Sequence, residues 1–245
     1  MLKSLKNTGI AARLEFNEYE AYKKEVEKLD ASWKESLNGT LYEHLSVGLS
    51  DKYIPAPYNQ KNYGNIVYDY RGCFIKTDET VGHVVPYKTM DIGGTVPCAM
   101  ASVYEHLTFV NEFGKKFKSR EELLLHIGNT LVNNGYRTPD AGTLWIAFDK
   151  VLELEYDIHT KIQTSMFEAV NSIGSCQPVI ALVPASWLHK DPTMPSNEAI
   201  VIWAIREDEA LITTTSSDNV ERVKVHTLFE HVKRAWACKK HEPML

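Results

Sequence analysis

The stretch GGTVPCAMASVYEHL, residues 93–107, decides how the rest of the sequence is read. Two glycines and a proline crowd the approach to a run in which Met100, Val103, Leu107 and Val110 recur at helical spacing. Proline suits the first helical position, where its missing N–H costs nothing. A helix is therefore predicted from Pro97 to Phe113, with Cys98 in its first turn. There the helix dipole and the open N–H groups favour a thiolate, and the Cys98 N–H is placed to serve an oxyanion. The same residue also reads as a small buried hydrophobe filling space in a core.

The bulk numbers narrow the setting. With 245 residues, 44% of them hydrophobic, the protein can build a core that needs neither disulfide nor metal. Its net charge of −5 lacks the basic excess expected of a nucleic-acid surface. Nothing in the sequence approaches a membrane span, and the opening MLKSLKNTGIAARLEF lacks the apolar run of a signal peptide. Cys73, Cys98, Cys176 and Cys238 lie far apart, so free thiols and a cytoplasmic location are expected. No spacing of His, Cys, Asp or Glu suggests a metal site, no Gly-rich loop has phosphate-binding form, and no cofactor is expected.

Residues 1–83 read as an N-terminal extension. It opens with a helix over 17–36, where Asn17 and Glu20 form a capping pair ahead of Tyr19, Tyr22, Val26, Leu29 and Trp33. A segment rich in Tyr, Pro and Asn follows, with short strands at 65–70 and 73–76 joined by an Arg71-Gly72 turn. Its tyrosines, Tyr53, Tyr58, Tyr63, Tyr68 and Tyr70, suit packing onto the domain that follows or cover for a cleft. Residues 84–245 are more regular. Ser119 with Glu122 caps a second helix that ends near Gly135, Thr143 caps a third through Leu154, and a short helix covers 165–173. Strands are predicted in PVIALVP (178–184), EAIVIWAI (198–205), ALITTT (210–215) and ERVKV (221–225), then a last helix in LFEHVKRAW (228–236) capped by Thr227. Helices first and sequential strands after argue for an α+β fold.

This order, with VPYKTMD at 85–91 and PCAMAS at 97–102, resembles the papain-like cysteine peptidases, specifically the peptidase C39-like group. The resemblance implies a helical half carrying Cys98 packed on a mainly antiparallel sheet. It also implies positions for an oxyanion Gln, a His leading a strand and an Asp after the next strand. Here those positions fall on Thr89, on Asn197 or Glu198, and on Thr214, Thr215 or Ser216, with Asp218 a little later. Only the cysteine is kept. A thiol peptidase needs an imidazole to hold the thiolate and protonate the leaving amine, and a carboxylate at Glu198 would instead raise the thiol pKa.

His189, nine residues before Glu198 in the loop feeding the same strand, is the candidate replacement base, with His83 a weaker one. His189 equally reads as a solvated loop residue beside Lys190 and Asp191. Two functions follow as expectations. One is a C39-peptidase-like domain without proteolytic activity that binds a peptide or protein segment in the former active-site cleft. The other is a working thiol enzyme, a peptidase, amidase or acyl transferase, using Cys98 with His189 or another histidine. The oligomeric state is left open by the sequence.

Overall fold

Strand β1 (Leu45–Gly48) runs into a Tyr-rich segment that carries the hairpin β2 (Ile66–Tyr68) and β3 (Phe74–Lys76); a second small hairpin is β4 (Arg137–Thr138) with β5 (Gly142–Thr143). The main sheet takes β6 (Ile158–Ile162), β7 (Val179–Pro184), β8 (Asn197–Glu207), β9 (Glu209–Thr213), β10 (Val220–Lys224) and β11 (Arg234–Lys240). Their order is β10-β9-β8-β7-β11-β6, every pairing is antiparallel, and β1 joins the far end of β8. The computed structural model describes residues 21, 24, 33, 45–69, 71–78, 88–108, 116–138, 142–194 and 196–240.

The helices are α1 (Met90–Gly93), α2 (Thr95–Leu107), α3 (Arg120–Asn133), α4 (Ala147–Tyr156), α5 (Met166–Gly174), α6 (Ala185–Leu188) and α7 (Val225–His231). They cover both faces of the sheet. One core joins α2, α3 and α4 to Leu182, Ala199, Val201 and Trp203; the other joins α5 and α7 to Val183, Ile200 and Ile202. Side chains alternate across a strand. With both faces covered, β7 and β8 therefore read as continuous apolar runs, not as alternating ones. The fold is mixed α and β.

The segment before α1 belongs to the first core. Tyr58, Tyr63, Ile66 and Phe74 are buried in it, whereas Tyr53 is exposed and Tyr70 lies outside the described residues. Tyr58 donates to Glu105 at 2.5 Å, and Arg120 closes the clasp on the other carboxylate oxygen at 3.0 Å. The predicted 17–36 helix lies almost wholly outside the described residues, but Ala21, Lys24 and Trp33 are helical. Trp33 is buried in the second core, with its indole N–H donating to Phe229 O at 3.2 Å.

Several boundaries differ from the sequence expectation; the Cys98 helix ends at Leu107, six residues before the expected Phe113. The Cys98 helix starts at Thr95, two residues before Pro97, because α1 feeds it through Gly94. A Cβ at Gly94 would lie 2.2 Å from Met90 O, so only glycine fits that junction. Thr143 is in β5, and α4 begins later, at Ala147. The helix expected over 228–236 starts at Val225 and ends at His231, since Arg234–Lys240 pairs with β7 and β6 as a central strand.

Candidate functional site

The site is built where the start of α2 meets the ends of β7 and β8. A cavity of about 280 Å³ opens there. Ile92, Gly93, Thr95 and Val96 form its helical wall. Gly142, Thr143 and Trp145 form a second wall, from the β5 hairpin and the loop after it. Leu182, Ser196, Asn197 and Glu198 complete it from the sheet.

Cys98 is not on this cavity. It occupies the fourth helical position, is fully buried, and packs into the core shared by α2, α3 and α4. Burial pushes its thiol pKa up, with the Arg137 guanidinium pulling weakly the other way. The oxyanion role read for its backbone is also unavailable: the Cys98 N–H donates to Gly94 O at 2.8 Å. The N–H groups that remain without an intrahelical acceptor are those earlier in the turn, at Thr95 and Val96.

The structure brings His189 to Glu198, not to Cys98. His189 caps the end of α6, and its Nε2 lies 2.7 Å from Glu198 Oε1. Glu198 pairs with Val183 across β7–β8, on the face that carries Ile200 and Ile202. Its Oε2 is buried without a hydrogen bond. Asn197 shares the α2 face with Ala199 and Val201, so its carboxamide, not the Glu198 carboxylate, is the strand's polar group at the cavity.

The other positions implied by the resemblance lie elsewhere. Thr89 is fully buried at the start of α1, bridged to Val67, and its carbonyl accepts from Gly93 N–H at 3.1 Å. Thr215 is buried and its carbonyl accepts from Gln60 N–H at 2.7 Å. Asp218 accepts from the side-chain amides of Asn59 and Asn62 at 3.1 and 3.0 Å, tying the Tyr-rich segment to the turn after β9. None of the three lines the cavity. His106 stands edge-on to Trp203, and burial lowers its pKa; His83 lies outside the described residues.

The groups missed from sequence are Ile92, Thr143 and Trp145. Two buried or half-buried arginines stand behind the last two. Arg137 Nη1 donates to Thr143 Oγ1 at 2.7 Å, and the Arg234 guanidinium lies 4.8 Å from the centre of the Trp145 ring. The local sequence carries no signal for the second contact, because Arg234 reaches Trp145 from a strand almost ninety residues later.

Among the described residues, no group of three or more His, Cys, Asp or Glu side chains could hold a metal ion. None of the helices among them is long and apolar enough to cross a membrane. The sequence matches no protein-family model and no curated protein sequence.

Proposed function

We propose that residues 84–245 form a papain-like, C39-peptidase-like domain without proteolytic activity, which binds a peptide or protein segment in the cleft at the start of α2. The observation that carries this reading is the division of labour around that cleft. An open cavity lies at the end of the Cys98 helix, while the thiol is buried away from it and His189 is engaged by Glu198. A helix start facing a strand edge offers a guest segment main-chain partners and side-chain pockets without any chemistry. The four free cysteines suit a reducing, cytoplasmic setting.

Panning a displayed random-peptide library against the full-length protein tests the reading. Selected peptides are expected to shift the NMR amide signals of Ile92, Thr95 and Asn197 and to be recovered intact. Asn197→Leu, which fills the cavity from its rim without adding charge, is expected to weaken binding with the melting temperature unchanged. Peptides that bind only elsewhere, or cleavage that disappears in Cys98→Ser, would overturn it.

A further inference from the structure

Donors stand on two walls of the cavity. Thr95 and Val96 present the free N–H groups of a 13-residue helix. On the opposite wall, the Thr143 hydroxyl oxygen already accepts from Arg137, an arginine only 2% exposed, so its O–H is left to donate. The indole N–H of Trp145 can only donate, and the Arg234 guanidinium stacked on the ring draws density from it. Glu198 also lines the cavity, but its carboxylate is engaged: Oε1 is held by His189, Oε2 is sealed from solvent, and strand alternation puts the side chain on the face of Ile200 and Ile202.

We propose that this cavity takes a carboxylate, the donor-lined walls meeting its two oxygens and the two arginines behind them favouring its charge. The inference rests on the peptide-binding reading, and within it the carboxylate comes from the C-terminus of a peptide or from an aspartate or glutamate side chain.

NMR titration of the full-length protein separates these sources. N-acetylalanine presents a terminal carboxylate and N-acetylaspartic acid amide a side-chain one; N-acetylalaninamide and N-acetylasparagine amide are their neutral counterparts. The carboxylates are expected to shift the amides of Thr95, Val96 and Asn197 and the Trp145 indole signal at about 10 mM. The tighter of the two identifies the source. The neutral compounds should bind at least about tenfold more weakly, the scale of a hydrogen bond to a charged group. Trp145→Phe keeps an aromatic ring against Arg234 and removes the indole N–H; it should weaken carboxylate binding about tenfold.

Equal binding of acids and amides, or no effect of Trp145→Phe, overturns the inference. Library peptides that occupy the cavity while no carboxylate does overturn it too, and leave the peptide reading standing. Carboxylates that bind where no peptide does support it and remove the peptide reading.

Discussion

His189 Nε2 stands 2.7 Å from Glu198 Oε1, and the second oxygen of that carboxylate is buried with no hydrogen bond. An imidazole engaged in this way braces a buried carboxylate and is not free to serve a thiol. His189→Ala should destabilise the protein by about 1–3 kcal/mol in urea denaturation, because it strips a buried acceptor of its side-chain partner. The double variant His189→Ala/Glu198→Leu should recover most of that loss, since the apolar side chain joins Ile200 and Ile202 on the same face. A double variant no more stable than the single one would contradict the bracing role.

Native thiol labelling should follow burial. Iodoacetamide is expected to modify Cys176, which is exposed, before half-buried Cys73, while Cys98 and Cys238 stay unmodified until the protein is unfolded. Mass spectrometry of peptides labelled between pH 4 and 10 reads this directly. Rapid labelling of Cys98 below pH 7 would mean an activated thiol and would revive the enzyme reading.

Trp33 packs into the second core, its ring centre 5.8 Å from that of Phe229. Trp33→Ala should cost about 3–5 kcal/mol. Trp33→Phe keeps one aromatic ring on Phe229 but loses part of the indole's volume and the bond to Phe229 O, so about 1–3 kcal/mol is expected. Equilibrium denaturation should place Trp33→Phe between the wild type and Trp33→Ala; an Ala variant no less stable than Phe would contradict the packing role.

Burial lowers the pKa of both His106 and His126. A group more easily protonated unfolded than folded makes the unfolded state bind the extra proton first. Their contribution to stability is therefore complete above about pH 6.5, the unfolded value, and is lost as pH falls through the lower folded value. The denaturation midpoint should drop over that window, and His106→Gln/His126→Gln should flatten the drop. An unchanged slope in the double variant would assign the acid sensitivity to other groups.

Gly48 ends β1 with φ +90°, and a Cβ there would lie 2.6 Å from Trp203 O. Gly48→Ala combines a left-handed backbone with that clash, so a loss of at least about 1 kcal/mol is expected. Faster hydrogen exchange at Leu49, whose N–H donates to Trp203 O, would show that β1 has loosened from β8.

What the sequence made legible was mostly local. The Ser119 cap was readable because cap and partner are three residues apart, and Ser119 Oγ does accept from Glu122 N–H at 3.2 Å. The β2–β3 hairpin was readable from its turn residues at 71–72 for the same reason. The stretch 228–236 misled because Leu228, Val232 and Ala235 fall at helical spacing, while the pairing that makes Arg234–Lys240 a strand comes from residues 158–162 and 179–182. The run 93–107 holds both the helix start that lines the cavity and Cys98, which is buried away from it. Nothing within that run indicates that α1 and Gly94 start the helix early enough to turn Cys98 inward. Trp145 and its arginine were out of reach altogether, since only the assembled sheet brings them together.

Strand β6 finds its one pairing partner among the described strands in β11, more than seventy residues downstream, and β11 also fills the gap beside β7. During synthesis, β6 thus leaves the ribosome with both edges unsatisfied and must wait until residue 240 has cleared the exit tunnel. Until then β7 also shows a bare edge, next to the strand whose end shapes the cavity. Closure of the sheet from so distant a segment raises the contact order and slows folding. The nascent polypeptide in that interval is the form of this protein most exposed to edge-to-edge association, and the form in which chaperones have most to protect.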